Sequence, residues 1–479
     1  MSEKKSTHHE DATAGAALPA TEVHTNVTWR DFWDNCKVLG YCFIIYLLSI
    51  NFGYEISMMG KLFAVTPFAR QFGQDVNGIY NVRATDQQLL NAGNTIGVFC
   101  SAFATGIISD LIGRKKTIII ACIICSGKLV STLGFGLGHS LGPVFVAELA
   151  PTKMRGLCLV LINTMIVLGM WLNSLDIFAC ERYTSDLGWR IPIMTQIIPP
   201  GLLMFGLLLL PESPTWLLIK GRREDATRAF RRYNGEGFNV EAAMAVAETS
   251  IAKEEEAKKV QEGSSWLECF RGTNLRRTII IVMVYISQQF IGVGFVSGYL
   301  THYFRLAGVN DPLAIGQVAN AVQLFGNICS WPLVDRVGRR PMIVGGSMIM
   351  TSLLLVIGGI STIGTRPALS ATVAFMLRQK TYSINMMSST SVSCLITQVM
   401  PYLLNSDQAD LGGKICFVFF GASVLMAVYL YFCLPEWKGR NYAEVQEMFE
   451  KKIPARQFKG YVCEVTQTSE QGENKQSEA

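Results

Sequence analysis

Charge is what this sequence is short of. Of its 479 residues only 16% are Asp, Glu, Lys or Arg, where soluble domains carry roughly a quarter. That argues against a soluble globular enzyme. Histidine is scarce as well, five in all, and three of them, His8, His9 and His24, lie in a polar leading segment that reads as a solvated tail. Cysteine is not scarce, but the thirteen cysteines sit mostly singly inside apolar runs, so no disulfide framework is expected. Cys122 and Cys125 make a lone C-x-x-C with no second pair and no flanking His, which leaves no metal site. A phosphate loop and a nucleophile–base arrangement are missing too, so no catalytic residue and no enzyme activity is expected. The net charge of +5 comes from short basic clusters between apolar stretches rather than from one basic face, which excludes nucleic acid as a partner.

What the sequence has is apolar length. Half of it is hydrophobic, its mean hydropathy is +0.29, and it carries 43 Gly, 26 Phe and 19 Met. This composition fits an all-α polytopic membrane protein whose helices pack closely through small residues. A span needs about 20 mostly apolar residues to cross about 30 Å of hydrocarbon. Candidate spans run Val38–Gly60, Leu89–Ile108, Leu157–Phe178, Pro192–Leu210, Thr278–Tyr303, Ala314–Leu333, Pro341–Ile363, Ile384–Leu404 and Ile415–Leu434. The expected organisation is a disordered cytosolic tail (1–35), a membrane half (36–211), a charged helical cytosolic linker (212–277), a second membrane half (278–440) and a cytosolic tail (441–479). That last tail is expected to be mostly disordered beyond a helical stretch at Tyr442–Lys451. No signal peptide is expected, because the opening residues are polar. Basic clusters at Arg114-Lys115-Lys116, Lys153/Arg155, Arg222-Arg223, Arg276-Arg277, Arg336/Arg339-Arg340, Arg378/Lys380 and Lys438/Arg440 alternate with less basic connections. The positive-inside rule then puts these loops and both termini in the cytoplasm.

The two halves repeat. Asp110-Leu-Ile-Gly113-Arg114-Lys115 returns as Asp335-Arg-Val-Gly338-Arg339-Arg340, 225 residues later, and Pro211-Glu212 returns as Pro435-Glu436, 224 residues later. Two motifs at nearly one offset indicate duplication of a half-protein, and paired halves around a midplane site are a transporter architecture.

These motifs resemble the major facilitator superfamily, and within it the sugar porter family. The resemblance runs from Phe52-Gly53-Tyr54-Glu55 to Pro435-Glu436-Trp437-Lys438-Gly439-Arg440. It takes in Gly106-x-x-x-Asp110-x-x-Gly113-Arg114-Lys115, Ala147-Glu148-x-x-Pro151-x-x-x-Arg155-Gly156, Gly188-Trp189-Arg190, Pro211-Glu212-Ser213-Pro214 and Gln288-Gln289-x-x-Gly292. The ending Ile453-Pro454-Ala455-Arg456-Gln457-Phe458, with Arg378-x-Lys380-Thr381 and Asn385, is most similar to fungal maltose and α-glucoside permeases. The resemblance implies a major facilitator fold of two six-helix halves, twelve helices in all. It also implies carbohydrate transport by proton symport of a hexose or an α-glucoside such as maltose. The expected setting is a monomer in the plasma membrane, with a small sugar and the lipid bilayer as partners and the proton as coupling ion in place of a cofactor.

Residue by residue, Glu55 lies in the first span, where an ionised carboxylate is costly unless paired or protonated. It is either the proton-coupling acid or a snorkelling residue near the span's end, with Lys61 and Pro67 close behind. The resemblance gives it a partner at Lys128. The implied sugar ligands are Gln288, Gln289, Tyr299 and Asn327, amides and an aromatic that suit hydroxyl groups and a pyranose face. Gly294 and Gly298 stand where the family has an Asn and a Tyr. Trp171, Phe295 and Trp331 are either stacking or packing aromatics. The implied cytoplasmic gate comprises Asp110, Arg114, Glu148, Arg155, Glu212, Asp335, Arg339, Glu436 and Arg440, with Glu148/Arg155 and Glu212/Arg222 as candidate pairs.

Span parity does not close. Between the basic loops at Arg114 and Lys153 an even number of crossings is required, yet Thr117–Leu149 is about one and a half spans long. Arg340 to Arg378 likewise leaves only Pro367–Leu377 for a return. About ten to eleven complete helices are therefore expected where the family has twelve. The alternatives are a transport-inactive paralogue, a sugar sensor, or a truncated gene model of an active permease.

Overall fold

The structure is a computed structural model that describes residues 33, 35–76, 79–124, 128–150, 154–234, 240–261, 272–290, 301, 304, 311–337, 339–362, 415–436 and parts of 447–461. The candidate span at 384–404, the half-span at 367–377, Tyr299 and Arg440 lie outside the described residues.

The N-terminal half opens with α1 (Cys36–Leu62). A short α2 (Thr66–Phe72), with Pro in its first turn where an N–H would be unused anyway, and a two-stranded hairpin, β1 (Gln74–Val76) with β2 (Ile79–Asn81), lead to α3 (Ala84–Ile112). Then come α4 (Arg114–Ile124), α5 (Lys128–Leu149), α6 (Arg155–Cys180), and α7 (Leu187–Thr195) with α8 (Ile198–Leu209). Pro199 and Pro200 open α8, so the last span of this half is broken at Gln196-Ile197. Four described helical stretches are long and apolar enough to cross a membrane: Cys36–Leu62, Arg155–Cys180, Leu187–Leu209 and Cys416–Cys433.

The closest crossing in this half joins α1 and α6. A Cβ on Gly53 would sit 1.9 Å from the Ile166 carbonyl oxygen, and one on Gly169 would sit 2.1 Å from that of Ile50. Two glycines without side chains let the backbones touch, the small-residue packing that lipid-embedded helices depend on.

The linker is helical where described: α9 (Pro214–Ile219), α10 (Arg223–Asn234) and α11 (Val240–Gln261). It packs under the first half, with Tyr233 bonding the Pro211 carbonyl at 2.8 Å and standing edge-on to Tyr41. The described helices of the second half are α12 (Gly272–Phe290), α13 (Pro312–Val337), α14 (Arg339–Thr362) and α15 (Ile415–Cys433).

Between the Arg114 and Lys153 loops the described residues form α4 and α5, on either side of 125–127, which lie outside the description. One expectation changes, for part of the tail: Met448, Phe449, Ile453 and Phe458 are buried against Ile280, Val344, Leu430 and Leu434 at the base of the second half. Apolar residues spaced through an otherwise polar tail give it a face to bury.

Candidate functional site

At the basic end of the N-terminal half, α3 stops at Gly113, whose φ of +99° only glycine adopts without strain. The turn has a second use: a Cβ on Gly113 would stand 2.6 Å from the Glu212 carboxylate. That carboxylate accepts the Lys115 N–H at 3.0 Å and the Ser213 N–H at 3.1 Å, so it caps the start of α4, where backbone donors lack partners and the helix dipole favours negative charge. Arg114 donates to Asp110 at 2.9 Å, to the Ser109 carbonyl at 3.0 Å, and through Nε and Nη2 to Glu148 on α5, both at 3.3 Å. The other Glu148 oxygen accepts the Ser213 hydroxyl, and Trp216 ties α9 to the Asp110 carbonyl at 3.2 Å. The Arg114 and Glu148 side chains are 10% and 15% exposed, Asp110 75%, so the pair that matters energetically is Arg114 with Glu148.

The C-terminal half repeats the cap. Glu436 accepts the Arg340 N–H at 3.1 Å at the start of α14, as Glu212 does for Lys115, and the Arg340 guanidinium donates to the Tyr431 carbonyl at 2.9 Å. Asp335 and Arg339 lie on α13 and α14, with side chains outside the description.

The candidate pairs are rearranged. Glu148 meets Arg114, and Arg155, exposed at the first position of α6, has no ion pair among the described residues. Arg222 pairs with Asp225 at 2.5 Å on α10 rather than with Glu212. Burial, before the Glu212 charge, pushes the Tyr233 phenol in the linker above its ordinary pKa.

The halves touch through α6 and α13. Thr164 donates to Asn327 Oδ1 at 2.7 Å, Trp331 Nε1 lies 3.2 Å from the Thr164 hydroxyl, and Asn320 Nδ2 donates to Ser174 at 3.0 Å. Asn327 is thus at the seam, 1% exposed. Beside these bonds, Asn163 Oδ1 and Trp171 Nε1 on α6 and both amide atoms of Gln317 on α13 are buried with no hydrogen-bond partner among the described residues. At the end opposite the basic loops an apolar cluster closes the seam: Leu62, Phe63, Phe68 and Ile177 from the first half meet Phe304, Leu313, Leu354 and Phe419 from the second. Glu181, just past α6 at this end, has its carboxyl raised by burial and then by the charge of Asp311. Among the described residues no ion pair joins the two halves.

Glu55 is 5% exposed and Lys61 4%, with Lys61 Nζ on the Met170 carbonyl at 2.9 Å, so neither reaches out along the helix to a surface. Lys128 is the first residue of α5, and Gln288 and Gln289 are near the end of α12; their side chains lie outside the description. The sequence reading missed Asn163, Gln317 and an acid, Asp176 on α6, bonded to Tyr54 and Thr195. The rule that picks out Glu55, an acid inside an apolar span, applies to Asp176 as well.

The sequence model of the family described as "Sugar (and other) transporter" matches residues 41–126, 123–377 and 368–449. The chain belongs to this sugar transporter family. The match comes in three pieces, and the joins fall in the two regions where span parity fails. Among curated relatives, the general alpha-glucoside permease of Saccharomyces cerevisiae is 24% identical over 469 residues, 86% of this chain and 75% of the permease. The maltose permease MAL61 of Saccharomyces cerevisiae is 25% identical, covering 88% and 77%. Hexose transporter HXT10 of the same species is 24% identical, covering 92% and 90%. Of solved structures, the partially occluded inward open form of the xylose transporter XylE from E. coli superposes with a TM-score of 0.68 at 18% identity, over 85% of this chain and all of that one. The proton:xylose symporter XylE bound to 6-bromo-6-deoxy-D-glucose gives 0.63 at 20% identity, over 87% of this chain and all of that one. This sugar transporter accordingly has the major facilitator fold, is a membrane protein that acts on sugar, and belongs to a family of transporters rather than enzymes.

Proposed function

We propose that this sugar transporter moves a hexose or an α-glucoside such as maltose across the plasma membrane together with a proton, as a monomer with both termini in the cytoplasm. The observation that carries the reading is the unspent hydrogen-bonding capacity of Asn163, Trp171 and Gln317 on the two helices that join the halves. Buried polar atoms without partners are costly, and a polyhydroxylated ligand supplies both donors and acceptors. Gln288, Gln289, Tyr299 and Asn327 complete the sugar site. Glu55 is the coupling acid, neutralised by Lys128. With the basic end cytoplasmic, the closed apolar cluster is extracellular and the described state faces inward. Asp110, Arg114, Glu148, Arg155, Glu212, Asp335, Arg339, Glu436 and Arg440 hold the cytoplasmic ends of the helices.

Uptake of radiolabelled maltose and glucose by a transporter-null yeast tests this. Accumulation against a gradient is expected, Asn163→Leu and Gln317→Leu are expected to raise KM, and Glu55→Gln is expected to spare exchange while abolishing accumulation. No uptake by a correctly located protein with restored spans would defeat the reading.

The span parity of the sequence favours a second reading, in which the chain as written does not transport: Thr117–Leu149 is about one and a half spans long, and half a span leaves backbone polar groups to lipid. Full-length transcript sequence separates the cases. Extra codons near Cys125 and Leu377 indicate a truncated gene model, and their absence an inactive paralogue.

A further inference from the structure

At the base of the second half, α12, α15 and the tail border a cavity of about 320 Å³, near the lower end of the range for small-molecule sites, roughly 300–1,000 Å³. Leu275, Arg276 and Ile279 line it from α12, Tyr429 and Phe432 from α15, and Ala455 from the tail. Ile279 and Phe432 are 44% and 57% exposed, so the cavity is open and presents apolar walls at its opening. Phe432 is the next-to-last residue of a stretch long and apolar enough to cross a membrane. Arg276 belongs to the basic cluster that precedes the apolar run from Thr278. The opening therefore lies where hydrocarbon gives way to headgroups, in the leaflet on the basic side.

Two guanidinium groups border the cavity. Arg276 stands in its wall, 5.5 Å from the centre of the Phe449 ring of the tail. Arg456 follows Ala455 and lies over two rings of α15, Phe432 at 4.7 Å and Tyr431 at 4.8 Å. The tail holds Arg456 there through its neighbours. Ile453 and Phe458 are buried against the helices, and the turn Ala455–Gln457 between them closes with the Gln457 N–H on the Pro454 carbonyl at 2.9 Å. Stacking occupies the face of a guanidinium and leaves the N–H groups at its edge, the fork that suits a phosphate. Neither arginine has an ion pair among the described residues, and Glu447 of the tail is engaged by Lys451 at 2.8 Å. No carboxylate is among the residues that line the cavity.

Two cations beside one apolar cavity, with Arg276 half-buried, are relieved by an anion placed between them. The cavity itself calls for hydrocarbon. A sugar meets neither need, because its hydroxyls would face Leu275, Ile279 and Phe432. A free anion meets only the first. A phospholipid meets both, and a zwitterionic headgroup would bring a further cation to a place that already has two.

We propose that this cavity is a binding site for an anionic phospholipid of the leaflet on the basic side, with a stretch of acyl chain between α12 and α15 and the phosphate held by Arg276 and Arg456. Through Ala455 and Arg456 the tail is part of the site. The site stands apart from the seam where the halves meet, and its test needs neither transport nor a choice of which side is cytoplasmic.

The test is native mass spectrometry of the purified full-length protein in detergent, titrated with phosphatidylglycerol and, separately, with phosphatidylcholine of the same acyl chains. One phosphatidylglycerol per protein is expected to be retained in clear preference to phosphatidylcholine. Arg276→Gln and Arg456→Gln are each expected to weaken phosphatidylglycerol about fivefold, and the double variant to bring it to the phosphatidylcholine level. Ile279→Trp fills the cavity without touching a charge and is expected to release the lipid as well. Lying on α12, it also serves if the Arg456 variant frees the tail. Equal affinity for the two lipids, or wild-type binding in the double variant, would overturn the proposal. So would full competition by inorganic phosphate, which identifies an anion site without a lipid. Wild-type binding in Ile279→Trp would do the same, since it identifies attraction to surface charge without the cavity. Absence of sugar uptake with the lipid bound as expected counts against the proposed function and not against this site.

Discussion

In the first half, the helix that follows the Asp-x-x-Gly-Arg motif starts under the carboxylate of Glu212, 97 residues downstream; in the second it starts under Glu436, 96 residues downstream, at a distance only 0.1 Å longer. Around this shared cap the described contacts differ. The first adds a mostly buried Arg114–Glu148 pair, a hydroxyl bond from Ser213 and an indole bond from Trp216. The second offers the Arg340 guanidinium a backbone carbonyl. The acidic, Pro-containing string that supplies Glu148 has no counterpart in the sequence before Arg378. What the described residues share in both halves is the helix cap, an acid that accepts a backbone N–H at the start of the following helix. The charge pair brings in a further helix, α5, and among the described residues it is seen in the first half.

The comparison is broken most severely by Glu148→Ala, which leaves the mostly buried Arg114 with the solvent-facing Asp110 and the Ser109 carbonyl as its partners and is expected to cost about 3 kcal/mol, the lower end of the range for breaking a buried pair. Fluorescence-detected size-exclusion chromatography after a heat ramp should show a large loss of monodisperse protein. A wild-type profile would mean that the pair is not mutually dependent. Gly113→Ala comes next, at about 1 to 2 kcal/mol for the left-handed conformation alone, since its Cβ must also displace the Glu212 carboxylate. Glu212→Gln and Glu436→Gln sharpen the comparison: as cap lesions each should cost about 1 kcal/mol, nearly the same in both halves. If only Glu212→Gln registers in the same heat ramp, the shared cap is not an equivalent device. The smallest effect belongs to Asp110→Asn, at most about 0.5 kcal/mol, because that side chain faces solvent, and it should vanish in high salt.

The parts of this arrangement visible in the sequence are those fixed by single residues. Gly113 and Gly338, Pro211 and Pro435, and the acids after them mark turns and caps wherever they fall, so the repeat and the two halves could be read from spacing alone. Pairing across helices could not. Arg155 looks as good a partner for Glu148 as Arg114 does until the helices are placed, and Glu212 proves to serve backbone N–H groups rather than Arg222. The seam was hidden for a related reason. Asn163, Asn173, Asp176 and Gln317 are single polar residues in apolar runs, and hydropathy averages them away. The folded tail was missed because Phe449, Ile453 and Phe458 are spaced too widely to form a run.

The apolar seal between the halves carries a thermal consequence. To open that end, Phe63, Phe68, Phe304 and Phe419 must leave one another for water, and hydration of apolar surface raises heat capacity. The balance between the two access states therefore has a curved van't Hoff plot, and the sealed state loses part of its advantage on cooling.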